Sequence, residues 1–165
     1  MVRTAPQNIR TLSLSDLEQY FEELGEKKFR ARQVYEWIWQ KSALSVDAMT
    51  NLSKELRQRL KEDFTLPALS IDATQYSADG TVKSRFKTHD GHLVEGVLIP
   101  TEERKTACVS SQIGCSLSCK FCATGYLPRK RNLEFDEIYD EVVLINQQSE
   151  RIYGKKLTNI VFMGM

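Results

Sequence analysis

Cys115-Ser-Leu-Ser-Cys119-Lys-Phe-Cys122 places three thiols within eight residues, spaced x3 and then x2. So short a stretch buries little apolar surface, and packing is a poor reason to put three cysteines in it. Thiolates are soft ligands that favour iron–sulfur clusters and zinc. Most clusters take four cysteines, so three in one tight loop suggest a cluster with one iron left open. Zinc is the alternative. Its sites more often use two separated Cys-x2-4-Cys pairs, and no second pair exists here. Disulfides are a third reading. The opening Met1-Val-Arg-Thr-Ala-Pro6 lacks the apolar core of a secretory signal, so a cytoplasmic setting with reduced thiols is expected. All four cysteines lie between Cys108 and Cys122, which suggests one chemical site rather than a dispersed disulfide framework.

The sequence on either side of the loop sets the fold class. Upstream, Lys105–Ser110 reads as a strand carrying Cys108. Downstream comes a basic run, Arg129-Lys130-Arg131, then a long helix from about Glu134 to Arg151. Its expected inner face is Ile138, Val142, Ile145 and Ile152, with Gly154 after it. Leu157-Thr-Asn-Ile-Val-Phe-Met163 is a short apolar strand, buried by its composition. Strand, loop, helix, strand is the opening of a βαβ pattern in a parallel barrel or sheet.

Further upstream the pattern is antiparallel. Asp79-Gly80 and Asp90-Gly91 are hairpin turn signals. They separate strands at Leu69–Ser77, Thr81–Thr88 and His92–Pro100. In the middle strand Val82, Ser84 and Phe86 point one way, and Lys83, Arg85 and Lys87 the other. In the third, Leu93, Glu95, Val97 and Ile99 share a face, so Glu95 is a carboxylate in an apolar row. Burial of that face would raise its pKa and make it a candidate general base. His89 and His92 flank the Asp90-Gly91 turn and read as exposed turn residues rather than ligands.

Residues 1–68 read as a small helical bundle and 69–165 as the meander plus the start of the βαβ core. Ser15-Asp-Leu-Glu18 has the form of a capping box, followed by Leu17, Tyr20, Phe21 and Leu24 on one face and a stop at Gly25. A second helix is expected from Lys28 to Lys41, with Phe29, Val34, Trp37 and Ile38 along one side. A third starts at Ser53, with Leu56, Leu60 and Phe64 inward, and ends by Pro67. Lys27, Lys28, Arg30 and Arg32 form either a solvated helix face or a phosphate-contacting patch. Trp37 and Trp39 cannot share a helix face, and both are expected to pack. The 165 residues carry a net charge of +1, which favours no particular partner. No apolar run approaches a membrane span.

These residues together resemble RlmN-type radical S-adenosylmethionine (SAM) RNA methyltransferases. The resemblance rests on Lys28-Phe-Arg-Ala-Arg-Gln-Val-Tyr-Glu-Trp37, Asp79-Gly-Thr-Val-Lys83, Leu93-Val-Glu-Gly-Val-Leu-Ile-Pro100 and Arg104-Lys-Thr-Ala-Cys-Val-Ser-Ser-Gln-Ile-Gly-Cys115, then Cys119-Lys-Phe-Cys-Ala-Thr-Gly125 and Arg131-Asn-Leu133. It implies an α+β chain: an accessory helical domain related to helix-hairpin-helix modules and contacting RNA, a hairpin meander, and the first strand, loop, helix and strand of a partial (β/α) radical SAM barrel. It implies that Cys115, Cys119 and Cys122 ligate a [4Fe–4S] cluster whose open iron binds SAM. Glu95 would match the family's proton acceptor and Cys108 the thiol that resolves a covalent enzyme–RNA intermediate. The implied activity is methylation of carbon 2 of adenine in 23S rRNA and tRNA by a cytoplasmic monomer, with an external flavodoxin-like electron donor. The related Cfr-type enzymes, which methylate carbon 8, share much of the pattern.

Two departures from the family pattern stand out. Tyr126-Leu-Pro-Arg129 replaces a glycine-containing turn. The chain also stops within the family's Gly-Met-Gly-Glu-Pro SAM motif, and no cysteine follows Cys122 to match the methyl-carrying one. The expectation is a fragment, inactive alone in methyl transfer; the alternative is a non-catalytic RNA- or metal-binding remnant.

Overall fold

The computed structural model describes residues 6–117 and 119–162. The chain divides into two compact units, one ending at Pro67 and the other beginning at Ala68. Met163, expected as the end of the last strand, lies outside the described residues.

The first unit holds α1 (Leu14–Glu23), α2 (Phe29–Trp39) and α3 (Lys54–Asp63). The short strands β1 (Gln7–Asn8) and β2 (Phe64–Thr65) pair in parallel. The capping box of α1 uses Ser13 and Asp16, not Ser15 and Glu18. Ser13 Oγ accepts from the Asp16 N–H at 3.2 Å, and Asp16 accepts from the Ser13 N–H at 2.8 Å. Ser15 falls inside the first turn, where its hydroxyl pairs with that of Ser13. Ser53 caps α3 as expected, accepting from the Leu56 N–H. Leu17, Tyr20 and Phe21 from α1, Ala31, Val34 and Ile38 from α2, and Leu56 and Leu60 from α3 build the core. Phe29 is exposed, contrary to expectation: it opens α2, where the Arg30 guanidinium stacks on its ring. Trp37 and Trp39 are both partly buried against the core.

The second unit is built on a five-stranded sheet. β3 (Ser70–Tyr76), β4 (Val82–Lys87), β5 (Leu93–Pro100) and β6 (Lys105–Val109) form an antiparallel meander. Gly80 and Gly91 adopt positive φ in the hairpin turns, as Asp-Gly turns require. The minor strands β7 (Gln112–Ile113) and β8 (Arg131–Asn132) pair with each other. α4 (Phe135–Tyr153) then crosses over to β9 (Asn159–Phe162), which runs parallel to β6. This is a βαβ unit appended to a meander.

α4 covers one face of the sheet only. That face carries Val82, Ser84, Phe86, Val94, Leu98, Ala107 and Val109, all buried. Gly96 belongs to it because a Cβ there would lie 2.9 Å from both Ile145 Cδ1 and Phe86 Cε2. Gln148 of α4 hydrogen-bonds Ser84 beneath it. The inner side of α4 departs from the expected apolar stripe. Ile145 is buried, but Ile138 and Val142 are only partly so, and Ile152 is exposed. Four acids are buried instead: Asp136, Glu137, Asp140 and Glu141. Among the described residues no helix is long and apolar enough to cross a membrane.

Candidate functional site

The thiol loop rises from a narrow neck. β7 and β8 form its two sides, with Gln112 opposite Asn132 and Ile113 opposite Arg131. Lys130 and Leu133 donate their N–H groups across the neck to Ile113 and Ser111. Gly114 turns the chain out of β7 with φ of +73°, and a Cβ there would run into the Pro128 carbonyl. Gly125 lies against the Cys119 backbone with no room for a side chain. The loop therefore closes on itself, and Pro128 and Arg129 of the Tyr-Leu-Pro-Arg segment are the wall against which Gly114 packs.

No disulfide joins the cysteines: Cys115 is buried and Cys108, Cys119 and Cys122 are half-buried. Cys115 Sγ accepts from the Leu117 N–H at 3.3 Å. The N–H groups of Gly125 and then Thr124 pull the Cys122 thiol's pKa below its ordinary value, towards the thiolate form. Leu117, Phe121, Tyr126 and Leu127 around them are exposed. Among the described residues, the group of potential ligand atoms lying within 4.8 Å of one another is His89, Asp90 and Glu137, not the three thiols.

That group corrects the reading of His89. It is exposed, as expected, but Glu137 approaches its Nδ1 at 3.5 Å because α4 brings that acid under the hairpin turn. Arg131 already fills the space between the acids. Its guanidinium donates to both Glu137 oxygens at 2.6 and 2.8 Å and to Asp90 at 2.8 Å. The Arg131 bond holds the Asp90 carboxyl well below the usual carboxylate range. Burial works to raise the Glu137 pKa, but hydrogen bonds from Arg131 and the Glu134 N–H outweigh it and the net shift is downward. Arg129 is also engaged, with Gln112 and Asn132.

Glu95 is the main correction. The row it shares with Leu93, Val97 and Ile99 faces away from α4; the buried row is Val94, Gly96 and Leu98. Period two separates the faces of a strand without saying which one is covered. Glu95 is about half exposed and forms a 2.8 Å ion pair with Lys83 on the neighbouring strand. The expected desolvation in an apolar row is thus absent. Cys108 lies opposite Val97 on β5 and opposite Val161 on β9. Glu95 and Cys108 are therefore diagonal neighbours on the same helix-free face.

Sequence reasoning missed Glu141. It is fully buried and accepts from the Ser110 N–H at 2.9 Å. Its other oxygen, Oε1, has no hydrogen-bond partner among the described residues. Burial pushes its pKa up to about 8 against the pull of the Ser110 N–H, with the nearby Glu137 charge adding to the rise. Its signal was a run of acids, Asp136, Glu137, Asp140 and Glu141, repeating at helical spacing on the first turns of α4.

In the first unit the basic cluster is largely paired. Lys28, Arg30 and Arg32 form ion pairs with Glu22, Glu26 and Glu18.

The family model "Ribosomal RNA large subunit methyltransferase N-terminal domain" matches residues 7–66. A "Probable dual-specificity RNA methyltransferase RlmN" from Cytophaga hutchinsonii is 60% identical over 157 residues, covering 95% of this chain and 43% of that protein. The protein of the same description from Christiangramia forsetii is 53% identical over 164 residues, covering 99% of this chain and 47% of its own length. The crystal structure of a radical SAM methyltransferase from Sphaerobacter thermophilus superimposes with a TM-score of 0.82 at 40% identity, covering 97% of this chain and 47% of that one. The chain spans less than half the length of these relatives. Along nearly its whole length it is a relative of the RlmN-family radical SAM RNA methyltransferases, matching the N-terminal portion of their chains.

Proposed function

We propose that this chain provides the cluster-bearing N-terminal part of a methyltransferase acting on carbon 2 of adenine in 23S rRNA and tRNA. The observation that supports this most is the 60% identity, across 95% of the chain, to a protein described as a dual-specificity RNA methyltransferase.

Cys115, Cys119 and Cys122 would hold a [4Fe–4S] cluster, which would supply the site for SAM. The donor set fits: the thiols are unbridged, and the Cys122 thiol is acidified by backbone N–H groups. When bound, the cluster and SAM supply one-electron reductive chemistry, with the electron delivered by an external flavodoxin-like protein.

The chain's own contributions are positional and acid–base. Glu95 is the proton acceptor for the adenine carbon and Cys108 the thiol that resolves the enzyme–RNA adduct. Both stand on one open sheet face, and Lys83 holds the Glu95 carboxylate in place. The first unit contacts RNA. Since three of its clustered cations already have acidic partners, such contact exchanges ion pairs rather than filling a bare patch.

Anaerobic reconstitution tests the metal. Iron and sulfide in near-equal amounts, with a charge-transfer band and loss of both in Cys119→Ala, are expected. Stoichiometric zinc without sulfide overturns the reading. In the complete enzyme bearing this sequence, Glu95→Gln lowers turnover while cluster content stays unchanged. Analysis of the methylated base separates carbon 2 from carbon 8, and 8-methyladenine as product refutes the carbon 2 assignment.

A further inference from the structure

The two ends of the thiol loop are fastened to one helix by two acids one turn apart. At the upstream end Glu141 takes the Ser110 N–H at 2.9 Å, and the Ser110 hydroxyl donates to the Glu95 carbonyl at 2.8 Å. At the downstream end Glu137 takes both Arg131 donors, and also the Glu134 N–H at 2.9 Å. Glu137 and Glu141 lie four residues apart, so they share a face of α4. Both are buried, which makes these bonds stiffer than exposed ones. Neither acid touches a thiol in any described contact. Between the clasped ends the β7–β8 ladder and the loop's internal bonds help to set where the sulfurs stand.

We infer that Glu141 and Glu137 are positioning residues for the thiol loop, clasping its two ends to α4 so that Cys115, Cys119 and Cys122 are presented together. The cluster part of this inference rests on the function proposed above; the clasp itself does not. What Glu141 supplies is an acceptor oxygen for the Ser110 N–H, so a glutamine can replace it and a leucine cannot.

The test has a metal-free arm and a loaded arm, with Glu141→Leu, Glu141→Gln and Glu137→Gln. In the metal-free chain near pH 5, amide hydrogen exchange over 110–113 is expected to quicken about tenfold in Glu141→Leu and to stay near wild type in Glu141→Gln. In Glu137→Gln the quickening falls on 130–134 instead. The β3–β4 hairpin should keep its protection in all three, as a check on folding. In the loaded arm, Glu141→Leu is expected to hold the cluster about tenfold more weakly, with an altered EPR spectrum, and Glu141→Gln to restore both. Wild-type exchange and iron content in Glu141→Leu overturn the inference, as does equal damage from Glu141→Leu and Glu141→Gln. If Glu141→Leu does not fold, unchanged loop exchange and iron in Glu137→Gln overturn it. If the wild-type chain takes up no cluster while the exchange pattern appears, the cluster reading fails and the clasp stands.

Discussion

Replacing Glu141 with glutamine should flatten the pH dependence of the second unit's stability. Burial disfavours the charge and pushes the Glu141 pKa up to about 8 in the folded protein, against its ordinary value of 4.5 in the unfolded chain. Between those values the folded state binds more protons than the unfolded one, so stability falls as pH rises. Each unit of difference is worth about 1.4 kcal/mol, and raising the pH from about 5 to about 8 therefore removes about 3–4 kcal/mol. Glutamine carries no such titration and keeps an acceptor for the Ser110 N–H. The variant and wild type should be similar near pH 5, and the variant more stable near pH 8. Both tryptophans, Trp37 and Trp39, lie in the first unit, so their fluorescence does not follow this transition. Amide exchange of Val94, Gly96 and Leu98 against urea, with the metal-free chain, does. Equal slopes in the two proteins, or a wild type that gains stability over this range, would refute the reasoning.

Three other outcomes follow from packing and pairing. Gly96→Ala forces a methyl to 2.9 Å from Ile145 and Phe86; it should cost about 1–3 kcal/mol by overpacking, and urea unfolding at wild-type stability would show that α4 can simply retreat. Arg131→Met leaves Glu137 buried beside Asp90 without its cation and should cost about 3–5 kcal/mol. Adding Glu137→Leu should recover part of that loss, and strict additivity in the double-mutant cycle would deny the coupling. Gly114→Ala meets both a positive φ and the Pro128 carbonyl; reconstituted iron should fall sharply while the β3–β4 hairpin stays protected from exchange, and full iron content would contradict the loop geometry.

Much of the architecture could be read from local chemistry. The Asp79-Gly80 and Asp90-Gly91 turns need positive φ and have it. The alternation of β4 puts Val82, Ser84 and Phe86 inward. Ser53 caps α3 because its hydroxyl can reach the Leu56 N–H. What local pattern cannot carry is the identity of the partner layer. Leu93, Glu95, Val97 and Ile99 form as regular an apolar row as Val94, Gly96 and Leu98, yet α4 packs on the second because Gly96 lets Ile145 approach. Apolar periodicity also failed for α4. Two of its buried acids take partners distant in sequence, the Leu69 N–H for Asp140 and the Ser110 N–H for Glu141, while Glu137 takes the nearby Arg131 and the Glu134 N–H. The three-thiol spacing can be read directly from the sequence, whereas the pairing of the nearby basic residues cannot. Arg131 reads as a surface cation until Asp90 and Glu137 arrive on either side of it.

The neck of the thiol loop has a consequence for the order of folding. Ser110 is fastened to a residue 31 positions away and Arg131 to one 41 positions away. Such contacts form only after the intervening chain has paid its loop-closure entropy. The helix and the β4–β5 hairpin must be in place before the neck can shut. Until then the three cysteines are tethered on a slack segment, open to oxidation and to whichever metal reaches them first.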